Sequence, residues 1–195
     1  VVIENGSNSK LIPNLTNLNI DFVSFPVTEI NYQQMIDSKQ INIERYKLRY
    51  NQVALWQSHY TIWQKMVEDN ISKLLIFENT CQLVPNFKEL FNNVLNFEGL
   101  LEYDILYLGY SGTNVISDKK LHLLDTGCPR CTHSYILTIS GAKKLLNNLK
   151  TIDYPFDELM GGMFNRKELT GYRTSKLLTY QAFQLKNVKY NLQQL

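Results

Sequence analysis

The residues most able to do chemistry come directly after an apolar run near the middle of the chain. Residues 73–77 are almost continuously apolar, which is typical of a strand covered on both faces, and Glu78, Asn79 and Thr80 follow them. In open α/β sheets, ligands bind outside the carboxyl ends of the strands, so we expect a functional site here. A carboxylate, an amide and a hydroxyl offer oxygen ligands to Mg²⁺ or Mn²⁺, but they make a weaker set than three carboxylates.

Asp157 and His133 are further candidates for a site. Asp157 follows Pro155 at the start of a predicted helix, where it could act as a general base that deprotonates a hydroxyl group. An acidic residue in a first helical turn is also common because it complements the helix dipole, so a structural role stays open. His133 comes just before a predicted core strand. It could bind a sugar or a phosphate there, or be a buried histidine bonded to a backbone carbonyl.

Cys128 and Cys131 form a CxxC motif, with His122 and His133 on either side. The motif could hold zinc or form a redox pair. Its spacing matches no common zinc module, and no thioredoxin-like strand precedes it, so two unpaired thiols in a loop are the favoured interpretation. The three cysteines of the chain are too few, and odd in number, for a disulfide framework.

The element that positions these residues is a long amphipathic helix predicted over residues 51–70. Its apolar residues recur at spacings of three and four and therefore share one face: Val53, Trp56, Tyr60, Trp63 and Val67. His59 lies on this helix. Packing with a hydrogen bond beneath the site is the simpler interpretation of His59.

Around this helix, the hydrophobic pattern predicts alternating strands and helices. Strands are predicted over residues 1–3, 20–25, 73–77, 103–109, 134–138 and 177–181. Helices are predicted over residues 28–38, 51–70, 86–97 and 140–149, with Thr28, Asn86 and Ser140 as N-caps, and another begins at Tyr154 and Pro155. The polar stretch before residue 20 is predicted to be a loop, and residues 111–130 a functional loop. The alternation predicts an α/β domain with a largely parallel sheet.

Length and composition favour one globular domain over residues 1–195. The chain is 44 % hydrophobic and 19 % charged, with a net charge of +2 and no basic arm, so there is no electrostatic case for a nucleic-acid partner. No apolar run approaches the roughly 20 residues of a membrane span, and no secretory signal opens the chain. A cytoplasmic location is therefore the default expectation, with the compartment left open. The chain starts without Met, and we expect its N-terminus to be trimmed.

Segments along the chain resemble, in the same order, the motifs of one family. Residues 58–67 (SHYTIWQKMV) are similar to LSHxxxWxKxV, and residues 75–80 (LIFENT) stand in the place of ILEDD. The other matches are residues 103–109 (YDILYLG) with WDxLYLG, 132–146 (THSYILTISGAKKLL) with THAYxISxxGAKKLL, and 155–158 (PFDE) with PxD. The family is glycosyltransferase family 25, which includes lipopolysaccharide-type and procollagen galactosyltransferases. The resemblance extends over about residues 18–182.

The resemblance implies a fold, an activity and a set of site residues. The fold would be GT-A-like and Rossmann-type, with a mixed, mostly parallel sheet flanked by helices. The activity would be inverting transfer of a hexose, galactose or glucose, from a UDP-sugar donor to a glycan or hydroxylysine hydroxyl. Glu78 and Thr80 would hold Mn²⁺ or Mg²⁺, and Asp157 would be the catalytic base. The donor would be bound by Gln52, Ser58, His59, Glu78, Asn79 and His133.

The chain departs from the family's motifs where the donor and its metal are expected. The acidic cluster Glu-Asp-Asp is replaced by Glu78, Asn79 and Thr80, so two carboxylates are missing. The GEIGCALSH start of the helix is NQVALWQSH at residues 51–59, and the opening INLxRxxxR strand is represented by residues 3–7 without an arginine. These departures support an alternative, a non-catalytic pseudo-glycosyltransferase domain. It would act as a binding or assembly module, beside a neighbouring domain or as a homo-oligomer.

Overall fold

The computed structural model describes residues 1–4, 9–44, 46–98, 102–111, 121–123 and 130–181. Its strands, in chain order, are β1 (Val2–Glu4), β2 (Ser24–Pro26), β3 (Lys73–Glu78), β4 (Cys81–Leu83), β5 (Ile105–Tyr107), β6 (Leu121–Leu123), β7 (Ser134–Thr138), β8 (Gly171–Thr174) and β9 (Thr179–Gln181). Its helices are α1 (Leu11–Asn17), α2 (Tyr32–Asp37), α3 (Tyr50–Glu68), α4 (Phe87–Glu98), α5 (Ile139–Asn148) and α6 (Phe156–Asn165). No helix within these ranges is both long and apolar enough to cross a membrane.

A mixed sheet forms the centre of the described structure, with the strand order β2-β1-β3-β7-β5-β8-β6. β1 pairs in parallel with β2 and β3, and β5 pairs in parallel with β8. β7 is antiparallel to both of its neighbours, and β6 is antiparallel to β8. Five of the seven strands that the described residues place in this sheet therefore run in one direction. β4 and β9 pair antiparallel in a separate small sheet.

Helices cover both faces of the large sheet because side chains alternate along its strands. Ile76 packs in a core with Trp63 of α3 and Met160 of α6. The next residue, Phe77, packs in a second core with Phe87 of α4. The sheet is thus a layer between α3, α5 and α6 on one side and α1 and α4 on the other. The predicted α/β fold, with a mixed, mostly parallel sheet flanked by helices, is confirmed, and its GT-A-like character stays a prediction.

The long periodic elements of the sequence are also confirmed. The helix predicted over residues 51–70 is α3, and the apolar run at 73–77 is β3, which continues to Glu78. The strand predicted over 134–138 is β7 with the same bounds, and the strand predicted over 103–109 is β5, which is two residues shorter at each end. These elements pack directly on one another, and they are the ones that position the site described below.

Two predicted N-caps are wrong. Asn31, and not Thr28, caps α2, because its side chain accepts a hydrogen bond of 3.1 Å from a backbone N–H in the first turn. Thr138, and not Ser140, caps α5, since its Oγ1 accepts from the backbone N–H of Gly141 at 3.1 Å. Several Ser, Thr or Asn residues lie near each helix start. The sequence pattern does not indicate which of them has the extended backbone that an N-cap needs.

The loop predicted before residue 20 is also wrong, because part of it forms α1. Pro13 is the third residue of this helix, where its missing N–H is not needed, since the N–H groups of a first turn have no partner within the helix. Leu11 and Leu15 lie one turn apart and are buried together against the sheet. Two apolar residues in a polar stretch are too weak a pattern to indicate a helix.

Short strands account for the other elements that the sequence pattern misses. β6 lies inside the predicted loop at 111–130, and β4 and β8 have no predicted counterpart. β6 has three residues and β8 has four, which is too short for an alternating pattern to stand out. The rest of the predicted loop, residues 112–120 and 124–129, lies outside the described residues, so its functional role stays a prediction.

Gly109, just after β5, lies where no side chain fits. A Cβ atom at this position would fall on Thr179 Oγ1 and His133 Nε2, and would lie 2.8 Å from the backbone O of Thr179. We expect Gly109→Ala to lower the free energy of unfolding by about 2–3 kcal/mol, as is typical of overpacking against atoms that cannot move aside. Urea denaturation followed by circular dichroism would measure this change.

Gly162→Ala is the matched control for this prediction. Gly162 lies inside α6, and a Cβ atom there would meet the flexible end of Arg166 at 3.1 Å. Alanine is more favourable than glycine in a helix interior, so this variant should gain about 0.5–1 kcal/mol of stability. Equal stability of the two variants would contradict the steric explanation at Gly109.

Candidate active site

A cavity of about 270 Å³ opens at the carboxyl end of β3, and we call it the main cavity. It lies between the first half of α3, the ends of β3 and β9, the residues that precede β7, and the start of α6. Its described lining residues are Leu48, Gln52, Leu55, Trp56, His59, Glu78, Cys131, Thr132, Ile152, Tyr154, Pro155, Phe156, Asp157 and Gln181. This is the edge of the sheet where the sequence predicts a site.

Glu78, the last residue of β3, is a buried carboxylate in the wall of this cavity and is only 5 % exposed. Its Oε1 atom accepts hydrogen bonds from His59 Nε2 at 3.2 Å and from Thr132 Oγ1 at 2.9 Å. Burial alone would raise the pKa of Glu78. The hydrogen bond and electrostatic effect of His59, together with His133 and Thr132, outweigh burial and hold this pKa below its ordinary value. Glu78 is therefore ionised at neutral pH.

A chain of hydrogen bonds fixes the orientation of His59. Trp63 Nε1 can only donate, and it donates to Tyr135 Oη at 3.1 Å. The Tyr135 hydroxyl proton is then free to point at His59 Nδ1, which lies 2.7 Å away. This assignment leaves the ring proton of His59 on Nε2, facing Glu78.

Asp157 lies in the first turn of α6 and is half-buried in the same cavity. Its Oδ2 atom accepts from the backbone N–H of Cys131 at 3.0 Å, and its Oδ1 atom from that of Glu158 at 3.1 Å. Cys131 and Thr132 are consecutive and bind Asp157 and Glu78, respectively. One short backbone segment therefore brings these two carboxylates to the same wall of the main cavity.

Cys131 has an unusual backbone conformation within that segment. Its φ angle of 76° lies in the left-handed region, which non-glycine residues seldom adopt. Its thiol lies 3.2 Å from Ser111 Oγ. Burial, with the charges of Asp157 and Glu78 in addition, raises the pKa of this thiol. Cys128 lies outside the described residues, so the zinc and redox interpretations of the CxxC motif stay untested.

The structure brings half of the predicted site residues together. Gln52, His59, Glu78 and Asp157 all line the main cavity. Gln52 also accepts a hydrogen bond of 2.9 Å from the backbone N–H of Arg49, at the start of α3. No ligand tests their roles, so donor binding and base catalysis stay predictions for these residues.

The other predicted site residues do not line the main cavity. Ser58 belongs to α3 and is buried. Its Oγ atom donates to the backbone carbonyl of Ala54 in the same helix and accepts from the Thr28 N–H, each at 2.8 Å. Asn79 is buried beside β1, and Thr80 is exposed in the turn before β4. His133, the residue before β7, is fully buried, and its ring lies against Gly109. Their predicted roles would need a ligand that extends beyond this cavity.

The sequence argument missed several lining residues. Thr132, which binds Glu78, belongs to the quoted THSY motif, and its place next to the predicted site residue His133 is the signal that could have found it. Trp56, Tyr154 and Phe156 give the cavity aromatic walls. None of the described lining residues is Lys or Arg. The main cavity thus combines carboxylates, aromatic rings and the His59 imidazole, with neither Lys nor Arg in the described part of its wall.

The chain matches proteins of one family in sequence. Residues 13–128 match the family model described as "Glycosyltransferase family 25 (LPS biosynthesis protein)". The "Probable inactive glycosyltransferase 25 family member 3" of Bos taurus is 28 % identical over 130 residues, 63 % of this chain and 22 % of that protein. The "Glycosyltransferase 25 family member" of Drosophila melanogaster is 27 % identical over 151 residues, 68 % of this chain and 24 % of that protein.

A further relative has a more specific name. "Procollagen galactosyltransferase 1-A" of Xenopus laevis is 25 % identical over 154 residues, 75 % of this chain and 25 % of that protein. The chain therefore spans about a quarter of the length of these relatives. The match to the family model begins within α1 and extends beyond β6, and it includes His59 and Glu78 but not Asp157.

Tyr135→Phe should destabilise the protein by about 1–3 kcal/mol, because it leaves the buried Trp63 N–H and His59 Nδ1 without their hydrogen-bond partner. Urea denaturation would measure the difference in unfolding free energy. Tyr46→Phe is the matched control, since Tyr46 is 41 % exposed, and it should leave stability unchanged. Equal losses in the two variants would contradict the hydrogen-bond chain.

His133 should make the protein less stable as the pH falls from about 7 to 5. Burial lowers the pKa of His133 and outweighs the Glu78 carboxylate and the Thr179 backbone, which both act to raise it. The unfolded chain therefore binds a proton near pH 6.5 that the native state does not bind, so the free energy of unfolding decreases with falling pH. The lowered pKa of Glu78 contributes stability that is lost only below about pH 4.5, outside this window.

The His133→Gln variant tests this pH dependence because glutamine does not titrate. We expect its unfolding free energy, measured in urea at about pH 7, 6 and 5, to change less with pH than that of the wild-type protein. Parallel pH profiles for the two proteins would show that the native state protonates His133 as readily as the unfolded chain does.

Proposed function

The chain belongs to glycosyltransferase family 25, and we propose that it transfers a hexose from a UDP-sugar to a hydroxyl group. The hexose would be galactose or glucose and the acceptor a glycan or a hydroxylysine, in line with the name procollagen galactosyltransferase that one relative carries. The observation that carries this proposal is the main cavity, where Glu78 and Asp157 line one wall at the carboxyl end of β3. Because the chain spans about a quarter of its relatives, the donor, the acceptor and any partner all belong to the proposal.

In this reaction the oxygen of the acceptor hydroxyl attacks the anomeric carbon of the hexose. The new carbon–oxygen bond forms opposite the diphosphate while the bond to the diphosphate breaks, so the configuration inverts and UDP leaves with the electron pair. Asp157 accepts the hydroxyl proton. Its carboxylate suits this role because two backbone N–H groups hold it in place, and both of its oxygens keep further lone pairs.

The predicted Mn²⁺ or Mg²⁺ stays a prediction, and the described residues do not by themselves fit such an ion. Glu78 Oε1 already accepts two hydrogen bonds, which leaves only Oε2 for a ligand, and Thr80 is exposed outside the main cavity. In the described ranges, no group of three or more His, Cys, Asp or Glu side chains is placed to hold a metal ion. The transfer outlined above accordingly uses protein side chains only.

A second candidate function is a non-catalytic domain that binds a ligand or assembles with a partner. It is favoured by the charges of the main cavity, because the described lining residues include two carboxylates and neither Lys nor Arg. Such a wall repels a diphosphate unless another group balances its charge. The replacement of two carboxylates by Asn79 and Thr80 also favours a non-catalytic domain. A domain of this kind would act beside a neighbouring domain or as a homo-oligomer.

The catalytic proposal predicts that the protein releases UDP from UDP-galactose or UDP-glucose when Mn²⁺ and an acceptor, such as a hydroxylysine-containing peptide, are supplied. Asp157→Asn should lower the rate of UDP release about 10²–10⁴-fold, as expected when a general base is lost. Glu158→Gln, at the exposed neighbouring position, should keep the wild-type rate. A coupled assay for UDP under saturating donor would measure all three proteins.

Two results would contradict the catalytic proposal. One is the absence of UDP release by the wild-type protein with either donor. The other is an Asp157→Asn variant as active as the wild-type protein. Binding of UDP without turnover, measured by calorimetry, would then support the non-catalytic candidate.

A further inference from the structure

The Glu78 carboxylate is held in place through one of its two oxygens. Oε1 accepts hydrogen bonds from His59 Nε2 at 3.2 Å and from Thr132 Oγ1 at 2.9 Å. His59 is fixed in turn by Tyr135. Among the described residues none is bonded to Oε2, which can therefore offer its lone pairs to a ligand, and the Glu78 side chain lines the main cavity. An ionised carboxylate offers acceptors only, so the matching ligand group is a hydrogen-bond donor.

The main cavity has the size and lining of a site for one sugar ring. Its volume of about 270 Å³ lies just below the range of small-molecule sites, roughly 300–1,000 Å³, which suits a single ring better than a whole nucleotide sugar. Trp56, Tyr154 and Phe156 provide apolar faces on which the C–H groups of a sugar ring can pack. The described wall holds neither Lys nor Arg, so a phosphate group is poorly accommodated there.

We propose that Glu78 accepts a hydrogen bond from a hydroxyl group of a hexose in the main cavity, and that it selects for the sugar rather than for the nucleotide. His59, Thr132 and Tyr135 are positioning residues, since they act through the Glu78 carboxylate. The inference rests on the proposed function in taking a hexose as the ligand. It differs from the predicted role of Glu78 as a metal ligand, because a metal ligand would act on the diphosphate that UDP and UDP-sugars share.

The Glu78→Gln variant separates the two roles. His59 Nε2 and Thr132 Oγ1 both donate, so the amide oxygen of the glutamine takes the place of Oε1, and the NH₂ group takes the place of Oε2. The atom that meets the ligand thereby changes from an acceptor to a donor while size and shape stay the same. A hexose hydroxyl that donates to the Glu78 carboxylate can then only accept from the NH₂ group, so the charge-assisted hydrogen bond is lost.

Calorimetric titration with UDP and with UDP-galactose, in the presence of Mn²⁺, measures the effect. We expect Glu78→Gln to raise the Kd for UDP-galactose about tenfold, as for a lost hydrogen bond to a charged group, and to leave the Kd for UDP unchanged. Glu158→Gln is the matched control. It makes the same chemical change at an exposed position outside the main cavity, and it should keep the wild-type Kd for both ligands.

Equal losses of affinity for UDP and UDP-galactose in Glu78→Gln would overturn the proposal in favour of the diphosphate or its metal. Unchanged affinity for both ligands would overturn it as well. If Glu78→Gln does not fold, Thr132→Val replaces it, because valine keeps the size of threonine and removes one of the two hydrogen bonds to Oε1. A roughly threefold loss of preference for UDP-galactose over UDP supports the proposal, and no loss overturns it.

Free sugar distinguishes this inference from the proposed function. If the wild-type protein binds neither nucleotide, the proposed donor fails, and methyl β-galactoside is tested by saturation-transfer NMR. Signals that appear with the wild-type protein and weaken in Glu78→Gln show that the main cavity binds a hexose that does not come from a nucleotide sugar, such as the hexose of an acceptor glycan. The absence of signals with the wild-type protein overturns the inference.

Discussion

The hydrogen bond between His59 and Glu78 is the interaction on which the rest of the site depends. It joins α3 to the last residue of β3, and so couples a 19-residue helix to a central strand of the sheet. A buried carboxylate without partners would cost several kcal/mol, and the two hydrogen bonds to Oε1 offset this cost. The helix therefore cannot slide or rotate along the strand without exposing an unpaired charge to the core. The shape of the main cavity follows from this fixed contact between helix and strand.

Much of the fold could be predicted from the sequence because its central elements are long and periodic. The apolar face of α3 and the apolar run of β3 each match one period over many residues, and tertiary packing strengthens the same pattern. The misses have a different physical origin. β6 and β8 contribute only a few residues each, and α1 contains Pro13, which looks like a helix breaker but lies in a first turn. Such elements are stabilised by neighbours that the local sequence does not reveal.

The candidate site could be predicted in part, and strand geometry explains where the prediction stops. Glu78 ends β3 and faces the main cavity, but the chain then turns, so Thr80 is exposed and does not share the face of Glu78. Thr132 and His133 are neighbours in the segment that precedes β7, and the motif therefore indicated the right segment. Thr132 lines the main cavity, however, whereas the His133 ring is buried against Gly109. Asp157 could be predicted from its place after Pro155 at a helix start, but its hydrogen bond to the Cys131 N–H, far away in sequence, could not.

The thiol of Cys131 in the wall of the main cavity has a consequence for the durability of the site. Its pKa is raised by burial and by the nearby carboxylates, so it remains a protonated thiol at neutral pH. Peroxides and alkylating reagents attack the thiolate, and a protonated thiol reacts slowly with them. We therefore expect Cys131 to react slowly with such reagents, chiefly because burial disfavours its thiolate and further because Asp157 and Glu78 lie nearby.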